Sequence, residues 1–209
     1  MTMKKKNLIT CLLLLFAAQV VSAQNNADAL IRVLVDQIKS HKNVEMAFSY
    51  QLSPDGKTLG DSEKGHAWLQ GEAYKVEMAE QQTISDGQSI WTYLIDDEEV
   101  MISSATEGAD NTPLKLLTSL DKTYAATLAG IDAQGIASIE LANPNGQYKR
   151  VSLKIDTKKT ALKSMDVYMN DGSKLVITVE EMKFDQNLDD KFFTFDAKKH
   201  PKVDVIDMR

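Results

Sequence analysis

Val44-Glu45-Met46-Ala47-Phe48-Ser49-Tyr50-Gln51-Leu52 alternates apolar with wetter residues, and Pro54-Asp55-Gly56 then turns the chain. Successive side chains of a strand point to opposite faces, so this stretch is predicted to be a β-strand with one greasy face. The segment before it has another period. From Ala27 to His41 the apolar residues Ala27, Leu30, Ile31, Leu34, Val35 and Ile38 recur at three- and four-residue intervals, with Asp28, Arg32, Asp36, Gln37 and Lys39 between them. That spacing predicts an amphipathic helix. The switch of period just before Val44 therefore marks a helix that leads into a sheet.

Alternation recurs downstream in Tyr74-Lys75-Val76-Glu77-Met78, and the turn signal Asp86-Gly87 introduces a strand at 89–95 whose pattern continues to Ile102. Further strands are expected over 124–128, 136–141, 149–155, 161–169 and 175–182, with Asn143-Pro144-Asn145-Gly146 and Asn170-Asp171-Gly172 as turns. This makes roughly ten or eleven strands without helical crossovers, hence an antiparallel sheet. Thr112-Pro113, followed by Leu114, Leu116, Leu117 and Leu120, predicts a short second helix. Two helices cannot cover both faces of so many strands. The expected architecture is mainly β: one curved antiparallel sheet, an incomplete barrel, with the helices packed in its concave face as a lid. A two-sheet sandwich is the alternative.

The first residues read as an export signal. Lys4, Lys5 and Lys6 precede the apolar run from Leu8 to Val21, and Val21-Ser22-Ala23 places small residues before a cleavage point at Gln24. The run is short of the roughly 20 residues that span a bilayer, which disfavours an uncleaved anchor. Cys11 lies inside the run rather than after it, unlike a lipid-attachment cysteine. Loss of 1–23 would leave a single domain at 24–209, without cysteine, carrying 21 basic and 30 acidic residues for a net charge of −9. Nucleic acid is an unsuitable partner for such a chain, since phosphate binding needs clustered Lys and Arg. No disulfide or thiolate metal site is then available.

Catalytic signatures are sparse. Gly-x-Ser-x-Gly, His-Glu-x-x-His and a glycine-rich nucleotide loop do not occur, and His41, His66 and His200 each stand alone in sequence. Asp96-Asp97-Glu98-Glu99 reads as a solvated hairpin turn rather than a calcium site, because consecutive strand carboxylates diverge. Paired carboxylates from separate strands remain open to a hydrolase. The distinctive chemistry is apolar: Met46, Met78, Met101, Met165, Met169 and Met182 fall in strand segments. Thioethers adapt to irregular apolar ligands, although a packed core would use them too.

Four pieces of sequence point to a family. Ser85-Asp86-Gly87-Gln88-Ser89-Ile90-Trp91-Thr92-Tyr93 resembles a hairpin of the periplasmic outer-membrane lipoprotein carrier family, the LolA type. In the family's order, Gly65-His66-Ala67-Trp68-Leu69 resembles its earlier tryptophan strand, Asn111-Thr112-Pro113-Leu114 the start of its internal helix, and Asp189-Asp190-Lys191-Phe192-Phe193-Thr194-Phe195 its closing segment. The resemblance implies an incomplete barrel with a helical lid and a non-enzymatic carrier without cofactor or metal. It further implies a periplasmic, monomeric protein that takes acylated lipoproteins from an inner-membrane ABC-type release complex to an outer-membrane acceptor. An envelope module for another lipid or amphiphile is the alternative, and an envelope hydrolase a third.

The resemblance also implies where cargo would lie. Tyr74, Val76 and Met78 are the expected concave-face positions, with Met46, Phe48 and Tyr50 from the first strand, and Trp68, Trp91 and Tyr93 as further cavity candidates. Leu30, Leu34 and Ile38 of the first helix and Leu114 and Leu117 of the second are the lid-side choices. Many members carry an arginine-proline pair after the tryptophan strand, and the arginine bonds to backbone near the lid. Here the stretch reads Gln70-Gly71-Glu72-Ala73, so that latch does not carry over.

Overall fold

A computed structural model describes residues 26–105, 124–142 and 148–209. The expected export signal, the second helix with Leu114 and Leu117, and the Asn143–Gly146 turn lie outside the described residues. Helix α1 covers residues 26–40, and its apolar stripe is the one set by the sequence spacing: Ala27, Ile31, Leu34, Val35 and Ile38 are all buried. These residues join β-strand side chains in one continuous hydrophobic core. Most of a short helix's stability comes from such packing of its apolar face, not from intrinsic propensity.

Twelve strands follow: β1 (Val44–Ser53), β2 (Glu63–Gln70), β3 (Ala73–Glu77), β4 (Gln81–Ser85), β5 (Ser89–Leu94), β6 (Glu99–Ser104), β7 (Ala125–Ile131), β8 (Ile136–Ala142), β9 (Tyr148–Asp156), β10 (Ala161–Met169), β11 (Lys174–Phe184) and β12 (Asp204–Asp207). They form one sheet in the order β12-β6-β5-β4-β3-β2-β1-β11-β10-β9-β8-β7. The two meanders meet where β1 pairs with β11, and the end strands do not pair, so the curved sheet stays open. A two-sheet sandwich is not formed.

Three features depart from the sequence expectation. β4 reads Gln81-Gln82-Thr83-Ile84-Ser85, with too few apolar residues to betray a strand, and with β12 it brings the count among the described residues to twelve. β12 pairs parallel with β6, an exception to the antiparallel rule, because the chain crosses one face of the sheet before it joins the edge. Leu52 ends the apolar alternation of β1 but is 51% exposed, while Ser53 beside it is buried. The acidic cluster does form the β5–β6 turn, with Glu98 at φ 50°. At the turn after β1, the Asp55 carboxylate accepts hydrogen bonds from the N–H groups of Thr58 (2.7 Å) and Lys57 (2.8 Å), which pull its pKa down to about 2. Gly56 supplies the positive φ of 69° that this turn requires.

Candidate functional site: two faces of one sheet

Residues paired across strands share a face, so the ladders sort every side chain. One row runs Met182, Met46, Ala67, Val76 and Thr83 across β11, β1, β2, β3 and β4. This is the face that shares its core with α1. It encloses a cavity of about 50 Å³ whose nine lining residues include Met46, Phe48, Tyr50, Val76, Met78 and Met165. This space is small and has almost no polar wall to bind water. Gly65 makes room for it: a Cβ there would lie 2.5 Å from Phe48 Cζ. The Tyr50 hydroxyl donates to Glu63 Oε2 (3.3 Å) and accepts from the Ala79 N–H (3.1 Å), and burial raises its pKa.

The other face carries the row Trp68, Lys75, Ile84 and Trp91. Tyr93, two residues beyond Trp91 in β5, lies on the same side. Trp68, Trp91 and Tyr93 therefore point away from the cavity, in contrast to the sequence expectation. In β5 it is Ile90 that pairs with Ser85 and Thr92 that pairs with Thr83, so these two take the helix side. The segment after β11 crosses the aromatic face and leaves beside it a polar-rimmed groove of about 810 Å³ between Lys75, Gln82 and Ile84 and the strap residues Phe192 and Phe195. Phe192 meets Trp68 edge-on at 5.2 Å, Phe195 lies 5.3 Å from Tyr93, and His200 stacks on Phe195 at 5.1 Å. Phe193, Ile84, Tyr93 and Val100 are buried outside the main core. Lys75 Nζ sits 5.0 Å over the Phe192 ring and 2.7 Å from Glu77 Oε1, so its charge stays paired at the margin.

Two short 3-10 turns, Asp190–Phe193 and Ala197–Lys199, shape this aromatic strap. Asp189 and Asp196 accept from the N–H groups of Lys191 and Lys198, which satisfies donors that so short a turn leaves open. Arg209, just beyond β12, bonds Asp207 and Ser89 Oγ and fixes the end of that strand against β5.

On α1, Leu34 and Ile38 are buried, and Leu30 packs against the core while partly exposed. The link from α1 to β1 is anchored by polar contacts. His41 Nδ1 lies 2.7 Å from Asp185 Oδ2, and the Lys42 N–H donates to Asp185 Oδ1 at 2.7 Å. These bonds hold the Asp185 carboxyl below its ordinary pKa. The buried Asn43 donates to the Gln186 carbonyl and accepts from the Gln186 N–H, both at 2.8 Å, and reaches Gln70 Oε1 at 3.3 Å. Sequence reasoning missed Asn43, whose only signal is an amide between a helix and a strand. Gln70, in the stretch that replaces the arginine-proline pair, thus joins β2 to the α1–β1 link.

Among the described residues His41 contacts Asp185, His66 stacks on Trp68, and His200 lies against Phe195 and Tyr93. Among the described residues no group of three His, Cys, Asp or Glu side chains converges as metal ligands. Nor is any helix among them long and apolar enough to cross a membrane.

A search of curated protein sequences finds no match. A solved structure shares the fold. An uncharacterized conserved protein from Thermus thermophilus superposes with a TM-score of 0.55 at 12% identity, covering 83% of this chain and 96% of that one. A LolA superfamily protein from Nitrosomonas europaea aligns at 13% identity and a TM-score of 0.43, covering 81% and 97%. The profile of the family described as outer membrane lipoprotein carrier protein LolA matches residues 74–196, more than half of the chain. With the open curved sheet and its apolar interior in view, the chain belongs to the LolA family of outer membrane lipoprotein carrier proteins.

Proposed function

We propose that the protein is a periplasmic carrier that shields the acyl chains of lipoproteins between the inner and outer membranes, with α1 and the second helical segment as a lid on the concave face. The observation that supports this reading is the apolar cavity lined by Met46, Met78 and Met165 on the face of the sheet that shares its core with α1, in a member of this family. Residues 1–23 act as the cleaved export signal, and 24–209 as a single carrier domain. An inner-membrane ABC-type release complex is the donor, and an outer-membrane acceptor completes the route. No covalent step is needed.

The energetics explain why a carrier would be required. Burying a chain of about 16 carbons at about 0.8 kcal/mol per methylene is worth roughly 12 kcal/mol, so release into water is very slow. A cavity of about 50 Å³ cannot contain such a chain. Cargo must spread the interior, and unbranched methionines can repack at small cost. The thermodynamic consequence is a ligand that binds the opened state and shifts the population toward it. Direct handover to an acceptor that binds more tightly then avoids exposure of the chain.

Mass spectrometry of the species that co-purify with the protein from the periplasm tests this reading. Acylated lipoproteins in stoichiometric yield are expected. Free lipid without lipoprotein would favour a binding module for another amphiphile, and the absence of both would overturn the carrier reading.

A further inference from the structure

The sheet has a split in its wall. β11 pairs with β1 along its whole length, from Ser53↔Lys174 to Val44↔Phe184, but its ladder with β10 stops at Ser164↔Thr178. Ala161, Leu162 and Lys163 therefore diverge from residues 179–184. Irregularities flank the gap: the β9–β10 register shifts between Leu162 and Ser164, and the β1–β11 register shifts between Ala47 and Phe48, which leaves Glu180 without a β1 partner. Bulges bend a strand and end local pairing, which is how the two edges part.

A cavity of about 220 Å³ fills the gap, larger than the one beneath the sheet's centre. Its apolar wall comes from Leu34 and Ile38 of α1 with Leu162, Val179, Met182 and Phe184. Val179 pairs with Phe48 and Met182 with Met46, and both partners line the central cavity. Two cross-strand pairs thus join the linings of the two spaces. The α1–β1 link is clamped at this end by Asp185 and Asn43, so the opening is built into the wall and does not depend on displacement of α1.

The polar groups at the opening are unbalanced. Among the described residues, Gln37 Oε1 is buried with no hydrogen-bond partner, and an unpaired buried acceptor costs free energy until a donor arrives. Glu180 pairs with Lys64 and Glu181 with Lys183, whereas the exposed Lys159 and Lys163 form no ion pair with any described residue. Gln37 lines the cavity while its Oε1 is turned out of reach of water, so a donor in the slot meets this acceptor once the side chain rotates, and Lys159 and Lys163 place positive charge outside.

Resting on the carrier reading, we propose that this split is a side entrance for a single amide-linked acyl chain: the chain threads past Val179 and Met182 toward the central cavity, its amide N–H donates to Gln37 Oε1, and an anionic group beyond the amide meets Lys159 and Lys163. An ester-linked or free fatty chain lacks the donor and is disfavoured at this site.

Binding of N-palmitoylglycine, N-palmitoylsarcosine and palmitate by displacement of a fluorescent fatty acid tests this. Sarcosine carries an N-methyl in place of the N–H, so the loss of the preference in Gln37→Leu separates the missing donor from the added bulk. The glycine conjugate is expected to bind about tenfold more tightly than the sarcosine conjugate, the discrimination of a site that leaves an acceptor unpaired. Gln37→Leu should erase that preference, and Lys159→Glu with Lys163→Glu should weaken the anionic conjugate about fivefold while leaving its methyl ester unchanged. Ala161→Trp should slow association and release about tenfold with little change in equilibrium affinity. Equal binding of the two conjugates, or Ala161→Trp kinetics like those of the parent protein, overturns the entrance while leaving the carrier reading intact. Failure of every acyl probe to bind overturns both.

Discussion

The two faces of the sheet use the same residue classes for opposite ends. On the aromatic face, Trp68, Ile84 and Tyr93 meet a strap of Phe192, Phe193 and Phe195, rigid rings held at 5.1–5.3 Å from one another. On the helix face, Met46, Met78 and Met165 surround a space they do not fill. Aromatic rings have few rotamers and specify one packing, whereas methionine has three flexible bonds and tolerates many. The difference sets a ring-packed face with a polar-rimmed groove against a small, apolar, methionine-lined space.

The largest test of this division is Phe193→Ala. Truncation of this buried ring on the strap is expected to cost about 3–5 kcal/mol in chemical denaturation, and the affinity of the folded protein for an acyl probe should be unchanged. Val76→Glu attacks the other side. A carboxylate in the apolar cavity should reduce acyl binding by about tenfold or more, whereas Lys154→Glu, on an exposed position of β9, should bind as the parent does. Equal binding by both variants would mean that the cavity is not the ligand site.

Gly65→Ala probes the boundary between packing and space. The added Cβ collides with the Phe48 ring, so a loss of about 1–3 kcal/mol is expected, together with weaker acyl binding as that ring moves into the cavity. Met165→Leu conserves volume and should change stability by less than about 1.5 kcal/mol while narrowing the range of chain lengths bound. Retention of an unaltered chain-length profile would deny methionine its special role.

The smallest effect concerns pH. Tyr148 lies in the helix-side core, and burial, with the charge of Tyr124 adding to it, pushes its phenol up to about 12 from an ordinary 10.0. The folded state keeps the proton that the unfolded chain loses, so this contribution to stability is complete below pH 10.0 and falls as pH rises toward about 12. Tyr148→Phe should flatten the alkaline limb of an unfolding curve over that window and leave the neutral range little changed.

The sequence carries some of this division openly and conceals the rest. Met46, Phe48 and Tyr50 alternate with polar residues because β1 is buried on one face only, and the helix stripe of Ile31, Leu34 and Ile38 is equally plain. β5 is different: Ile90, Trp91, Tyr93 and Leu94 are apolar at both parities, since the helix side and the strap each cover one face. Alternation then says nothing about direction, and register alone turns Trp91 outward. The strap's closing aromatic residues were legible as a family feature but not as a cover. The split beside β11 depends on two bulges, at Lys163 and Glu180, that no turn residue or periodicity announces.

Covalent mapping with palmitate carrying a photoactivatable diazirine near its terminal methyl tests the central claim most directly. Labelled peptides should contain Met46, Met78 or Met165 from the helix face. Labelling concentrated on Trp68, Trp91 or Phe192 would place the chain on the aromatic face and contradict this account.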